Sequence, residues 1–130
     1  MYELCYKNGL LYTSVVLYSA EKSVSIDDVI VDTGAFHTII LTDYLENLDF
    51  PLEDADELVK TSGYGGVQYS SVRKTISKLA IGDICLENMK IDFGNIDPFE
   101  RVNGLIGLDF LMGAGLIIDL VELKLYKKYS

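Results

Sequence analysis

The tripeptide Asp32-Thr33-Gly34 is the part of the sequence best suited to chemistry. It follows Val29-Ile30-Val31, an apolar run that predicts a buried strand. Removing a carboxylate from water at such a site costs several kcal/mol unless hydrogen bonds satisfy it. An unpaired neutral polar group already costs about 2–7 kcal/mol. Thr33 offers a hydroxyl, and Gly34 lets the backbone turn and bring its N–H close. The pattern fits an acid on the floor of a cleft, and it equally fits a turn in which Asp32 caps its own backbone.

The elements that must position this tripeptide are mostly strands. Alternating apolar residues rich in Val, Ile and Tyr are typical of half-buried strands. Asn8-Gly9 predicts a tight hairpin turn between strands over Met1–Tyr6 and Leu10–Tyr18. Helices of one or two turns are predicted after Thr42 and over Leu108–Met112. Other strands are predicted at 24–31, 38–41, 84–93, 105–107, 116–120 and 121–129.

A long hairpin is predicted between residues 58 and 79, with Gly63-Tyr64-Gly65-Gly66 at its tip. Many short strands with few helices favour a closed or sandwiched β-barrel. We therefore expect a mostly β fold with two small helices.

Length and composition bound the classes of protein that remain. The chain has 130 residues and a formal net charge of −9, which predicts one domain and disfavours nucleic acid and anionic membrane partners. No apolar run reaches the ~20 residues of a membrane span, and the first residues lack the features of a signal peptide. Its 2 Cys and 1 His show no metal-ligand spacing, so we expect no metal and no cofactor. A cytoplasmic location is expected.

Three motifs in order resemble those of the retropepsin family, the single-lobe aspartic proteases. The first is Val29-Ile30-Val31-Asp32-Thr33-Gly34-Ala35, and the second is the Gly-rich hairpin tip. The third is Leu105-Ile106-Gly107, which leads into the short helix. The resemblance covers residues 24–128, and this conjunction is far more specific than Asp-Thr-Gly alone.

The resemblance implies a closed acid-protease (retropepsin-like) β-barrel with a flap hairpin. It implies an endopeptidase in which two carboxylates activate a water molecule. Because the sequence holds a single Asp-Thr-Gly, the second Asp32 must come from another copy in a homodimer. The dimer surface is expected from the terminal strands, and the substrate is expected to be an extended peptide or protein. Residues 1–130 then form one such domain, with 1–20 as an N-terminal hairpin extension.

The resemblance also assigns roles to particular residues. Asp32, Thr33 and Gly34 are the expected catalytic group. Ala35, Tyr64, Gly65 and Gly66 are expected to contact substrate, the last three from the flap. Leu105, Ile106 and Gly107 are expected to form the strand that supports the paired aspartates. Apart from the resemblance, Asp109 is expected to cap the short helix rather than to take part in catalysis.

Two departures from the family pattern leave alternatives open. Phe36 and Leu108 stand where many retroviral members carry an ion pair, so an apolar contact is expected there. His37 is either an exposed loop histidine or a pH-sensitive group near the cleft.

The acidic run 43–57 is either a solvated face or a patch that prefers basic substrates.

Two other classes of function remain open at this stage. One is a retropepsin-like domain that binds extended peptides or assembles without cutting them. The other is an unrelated acidic β-barrel binding module.

Overall fold

In the computed structural model of the chain, the described residues are 2–48, 57–62, 68–95 and 102–128. They form eleven strands and two short helices. The strands are β1 (Tyr2–Glu3), β2 (Cys5–Lys7), β3 (Leu10–Ser19), β4 (Lys22–Val31), β5 (Ile39–Ile40), β6 (Glu57–Ser62), β7 (Gln68–Ile81), β8 (Ile84–Gly94), β9 (Gly104–Ile106), β10 (Leu116–Asp119) and β11 (Lys124–Lys127). The helices are α1 (Tyr44–Asn47) and α2 (Leu108–Gly113).

The larger sheet closes on itself to form a barrel. Its strand order is β2-β3-β4-β9-β5-β8-β7-β6, and an additional pairing between β3 and β7 joins the two halves. The closed ring therefore consists of β3, β4, β9, β5, β8 and β7. Closure removes most of the free strand edges that an open sheet would expose. The predicted mostly β fold with a closed barrel and two short helices is confirmed.

The barrel interior is apolar because the strands alternate inward and outward side chains. The residues with no exposed surface include some from every strand of the ring and one from α2. They include Leu17, Ile26, Ile40, Leu79, Ile91, Ile106 and Phe110. Full burial of each such side chain stabilises the fold by roughly 1.5–3 kcal/mol relative to exposure, so this core needs no metal or disulfide. Cys5 and Cys85 are free thiols.

A bulge in β4 sets the pairing that leads to Asp32. Ser14 of β3 faces two residues of β4, Asp27 and Asp28, because the register shifts there, and Asp28 has a φ of 56°. The carbonyls of both aspartates turn toward Asn103. Its side-chain amide donates to the Asp27 carbonyl at 2.8 Å, and its backbone N–H donates to the Asp28 carbonyl at 3.0 Å. These bonds fix the parallel register in which Val29 lies opposite Gly104.

The second sheet has three strands in the order β1-β11-β10. The predicted strand over Met1–Tyr6 is broken at Leu4, which is buried and donates its N–H to the Leu123 carbonyl at 2.8 Å. The break places β1 in this sheet and β2 in the barrel sheet. The predicted strand over 121–129 begins only at Lys124, because residues 120–123 form a turn.

Candidate active site

Asp32 is the first residue after β4, at the point where the chain turns away from the barrel. Its side chain is half-buried, and its Oδ1 accepts a hydrogen bond from the Gly34 N–H at 2.9 Å. Its carbonyl accepts the Ala35 N–H at 3.3 Å. A Cβ on residue 34 would lie 3.1 Å from Asp32 Oδ1, so glycine lets the amide approach the carboxylate closely. The Asp32 carboxylate is therefore fixed by its own loop while it stays open to solvent.

The neighbouring strand β9 continues the floor beneath Asp32. Ile30 and Val31 pair with Leu105 and Ile106 in parallel register, and the Asp32 N–H donates to the Ile106 carbonyl at 2.9 Å. Ile106 is fully buried, and Leu105 is half-buried. The structure thus brings the Asp-Thr-Gly segment and the Leu-Ile-Gly segment side by side.

The Asp32 loop also caps the helix that follows β9. The first N–H groups of a helix have no partner within it, and here the loop supplies two. The Ala35 carbonyl accepts the Leu108 N–H and the Phe36 carbonyl accepts the Asp109 N–H, both at 2.9 Å. A Cβ on Gly107 would lie 2.6 Å from the Phe36 carbonyl oxygen. Only glycine at residue 107 therefore permits this contact without a shift of the backbone.

Buried Thr38 and Gly107 and half-buried Asp109 form a bracket that locks the loop to the helix. The Asp109 carboxylate accepts the Thr38 N–H at 2.9 Å and the Thr38 hydroxyl at 2.7 Å. The same hydroxyl accepts the Gly107 N–H at 3.1 Å. Thr38 is completely buried, so each of these polar groups would be costly to leave unpaired. We call these three residues the Thr38 bracket.

The position of Asp109 corrects the expectation that it caps α2. The cap position is Gly107, which makes no side-chain capping bond, and Asp109 lies inside the first turn. Its carboxylate does reach the Phe110 N–H at 2.7 Å, but its main partner is Thr38. Asp109 therefore joins two segments that are 71 residues apart in the sequence.

A buried ion pair supports the bracket from the other side. The Asp92 side chain of β8 is 1 % exposed, and it accepts hydrogen bonds from Arg73 Nε at 2.6 Å and Nη2 at 3.1 Å. The Asp92 N–H donates to the Thr38 carbonyl at 3.1 Å. The two-pronged geometry is the strong form of an arginine–carboxylate contact. The network therefore runs from β7 through β8 and Thr38 to α2.

The loop presents an exposed surface next to the fixed carboxylate. Thr33, Gly34, Phe36 and His37 are exposed, whereas Ala35 is half-buried. The Phe36 side chain is 58 % exposed and meets the His37 ring edge-to-face, with 4.8 Å between ring centroids. The expected apolar contact between Phe36 and Leu108 stays a prediction, and much of the Phe36 side chain faces solvent.

Several predicted site residues fall outside the part of the chain that the structure describes. Tyr64, Gly65 and Gly66 lie in the undescribed range 63–67, between the paired strands β6 and β7. Most of the acidic run also lies outside the described residues. Within the described residues, no group of three or more His, Cys, Asp or Glu side chains is placed to hold a metal ion. No helix among those residues is long and apolar enough to cross a membrane.

Comparison with known proteins agrees with this geometry. A family model described as aspartyl protease matches residues 21–110. A retropepsin-like aspartic protease from Rickettsia conorii superposes with a TM-score of 0.63 at 20% identity, covering 93% of this chain and 92% of the other. The retroviral protease-like domain of Ddi1 from Leishmania major gives a TM-score of 0.60 at 18% identity, covering 93% and 90%. No curated protein matches the chain.

The match to the family model spans more than half of the chain and includes both the Asp32 loop and the start of α2. The chain belongs to the aspartyl protease family, and its fold is retropepsin-like.

Proposed function

We propose that the protein is an aspartic endopeptidase that acts as a homodimer. The observation that supports this most directly is the Asp32 carboxylate. It is half-buried and held by the Gly34 N–H at 2.9 Å in a loop bonded to both β9 and α2. A pair of such carboxylates is needed to divide the acid and base roles. With one Asp-Thr-Gly per chain, a second copy must supply the other.

In the proposed mechanism, two Asp32 carboxylates share one proton, because two adjacent negative charges repel each other. The ionised carboxylate takes a proton from a bound water as the water oxygen attacks the carbonyl carbon of the peptide. The protonated carboxyl donates a hydrogen bond to the carbonyl oxygen, where negative charge develops. Collapse of the tetrahedral intermediate breaks the C–N bond, and a proton from the pair goes to the leaving nitrogen.

The other predicted site residues have supporting roles in this proposal. Thr33 is exposed beside Asp32, where its hydroxyl is available to the second copy across the two-fold axis. Gly34 and Ala35 offer backbone groups to an extended peptide. Tyr64, Gly65 and Gly66 would cover the substrate as a flap. Leu105, Ile106 and Gly107 form the segment that supports the paired Asp32 residues from below.

The substrate class proposed is an extended peptide with apolar side chains near the scissile bond. The exposed Phe36 ring is the supporting observation, since it stands four residues after Asp32 on a loop whose backbone is fixed. A cytoplasmic location is proposed with this activity, because both cysteines are free thiols.

The decisive variant is Asp32→Asn, assayed on a library of extended peptides. Loss of the ionisable group should lower kcat by about 10²- to 10⁴-fold, the usual contribution of acid–base catalysis. Asp43→Asn is the matched control, because Asp43 is exposed and makes no side-chain capping bond. Undiminished cleavage by Asp32→Asn would contradict the proposal.

The competing function is a domain that binds extended peptides without cutting them. A peptide analogue distinguishes the enzyme from the binding domain when a tetrahedral carbon that carries a hydroxyl replaces its scissile carbonyl. An enzyme should bind this analogue at least about 10²-fold more tightly than the matching substrate, because the active site is complementary to the transition state that the analogue imitates. Equal affinity for the two peptides, with no cleavage, would favour the binding domain.

A further inference from the structure

The N-terminal hairpin of β2 and β3 ends next to the candidate active site. Asn8 and Gly9 form its turn with φ values of 53° and 78°, and Lys7 pairs with Leu10 across it. A two-residue turn with positive φ at both positions matches the twist of the strands that it joins. The hairpin precedes residue 21, where the match to the family model begins. That match therefore assigns no role to the hairpin.

The register between β3 and β4 brings Leu10 to Asp32. Tyr12 lies opposite Ile30 in antiparallel register. The β4 backbone stays in line as far as Asp32, because the Asp32 N–H donates to the Ile106 carbonyl of β9 at 2.9 Å. From the Tyr12–Ile30 pair, two residues back along β3 lead to Leu10, and two residues forward along β4 lead to Asp32. Neighbouring strands lie about 4.8 Å apart, so this register places Leu10 beside the candidate catalytic residue.

Leu10 and Asp32 also share one face of the sheet. Side chains alternate between the two faces along a strand, and residues that face each other across strands point to the same side. Val31 is buried in the barrel core, so Ile30 and Asp32 point away from the interior. Leu10 lies on the face of Tyr12, the partner of Ile30, and it is 41% exposed. The Leu10 side chain is therefore accessible to a molecule bound over the Asp32 carboxylate.

The hairpin is held in this place by the residue before its turn. Lys7 Nζ bonds to the Asp28 carboxylate at 2.7 Å and lies 4.5 Å from the centre of the Tyr12 ring. An exposed ion pair alone contributes little to stability, but the same ammonium also makes a cation–π contact with a buried ring. Leu10 is the hairpin partner of Lys7, so these contacts fix its backbone. A backbone fixed before binding loses little freedom when a ligand binds.

Apolar side chains therefore lie on both sides of the carboxylate. The strand order β3-β4-β9 puts Leu10 on one side of Asp32. The loop that carries the exposed Phe36 bonds to the start of α2, which follows β9 on the other side. We propose that Leu10 is a specificity-determining residue of the active site and contacts an apolar side chain of the substrate peptide. This inference rests on the proposed function, because it names a further substrate contact of the same site.

Truncation of the side chain is the first test, on a peptide library varied one position at a time. With Leu10→Ala, kcat/KM should fall roughly 10-fold for peptides with a large apolar residue at one position and stay unchanged for small residues there. Tyr6→Ala is the matched control and should change neither, since Tyr6 is 62% exposed on the opposite face of the same hairpin. An equal loss for every peptide would contradict a contact with one substrate side chain.

Opposite charges at residue 10 supply the second test. Leu10→Lys should favour peptides with an acidic residue at the position that the first test identifies, and Leu10→Glu should favour a basic residue there. Each preference should reach up to about fivefold in kcat/KM, the size of an exposed ion pair, and should weaken at high salt. Loss of structure cannot produce opposite preferences in the two variants. Circular dichroism checks that all three variants fold, and if one does not, the remaining variants decide.

The outcomes separate this inference from the proposed function. A chain that cleaves peptides with the same preferences in the wild type and in every Leu10 variant would overturn the role of Leu10 and leave the protease proposal standing. A chain that binds peptides without cutting them, and shows the exchanged preferences in its dissociation constants, would support the contact and contradict the protease. A chain that neither binds nor cuts any peptide would overturn both.

Discussion

The two ends of α2 lead to regions with opposite hydrogen-bonding character. At its start, the Asp32 loop and the Thr38 bracket satisfy buried polar groups within one chain. Beyond its end, β10 leaves the backbone groups of Leu116 and Ile118 pointing away from the sheet. The first region is complete as a framework but holds one carboxylate where the chemistry needs two. Among the residues that the structure describes, the second ends in a strand edge with no partner. In the proposed enzyme a second copy supplies the missing carboxylate.

Protein concentration distinguishes variants that act within one chain from variants that act between two copies. Variants at the floor of the site should change the free energy of unfolding by the same amount at any protein concentration. Variants that weaken a contact between two copies should instead have an effect that depends on protein concentration.

The largest expected effect is that of Asp92→Asn on stability. This change removes the charge that pairs with Arg73 in a site where the Asp92 side chain is 1 % exposed. Breaking a buried ion pair on one side typically costs about 3–5 kcal/mol, which urea unfolding would measure. The double variant Arg73→Met with Asp92→Leu should recover most of the loss, because neither charge remains. A single variant as stable as the wild type would show that the ion pair does not support the floor.

Thr38→Val should have the next largest effect. Valine has nearly the shape of threonine but leaves the Gly107 N–H without an acceptor and the Asp109 carboxylate without a hydroxyl donor. The expected loss is about 1–3 kcal/mol in the free energy of unfolding, since these groups are buried. The loss should be equal in dilute and concentrated samples. A shift seen only in concentrated samples would place Thr38 in the dimer contact instead of the bracket.

Phe36→Ala should have the smallest effect and should act on substrate choice. An exposed ring adds little to stability, but an apolar contact with substrate is worth about 1–3 kcal/mol, or tenfold and more in kcat/KM. Peptides with large apolar side chains should lose that factor, whereas peptides with small ones should not. Met112→Ala is the control, since Met112 is 70% exposed on α2. An equal loss of kcat/KM for all peptides would show that Phe36 does not determine the specificity of the site.

Much of the fold was accessible from sequence because its signals are local. Strand alternation and the Asn8-Gly9 turn predicted the mostly β architecture, and the turn is present with positive φ at both residues. Val29-Ile30-Val31 and Leu105-Ile106 were recognisable as buried strands, although their parallel pairing was not predicted. The roles assigned to the Asp32 loop and to the flap residues stay predictions.

The parts that sequence could not give depend on long-range register. Thr38 and Asp109 are 71 residues apart, and neither residue type suggests a partner. Arg73 and Asp92 meet only because β7 and β8 pair in one register, which a single sequence does not fix. The turn over residues 120–123 was not predicted at that length, because the strands predicted over 116–120 and 121–129 run through it. Its signal was the aspartate itself, since aspartate side chains often cap a turn.

The proposed active site contains Asp32 from two chains, and mixing wild-type chains with Asp32→Asn chains measures whether both are needed. After subunits are allowed to exchange at a fixed total concentration, peptide cleavage is measured against the wild-type fraction. If both carboxylates are required, activity should fall as the square of that fraction, because only dimers of two wild-type chains are active. A strictly linear decrease would mean that a single chain is sufficient, and it would contradict the proposed homodimeric enzyme.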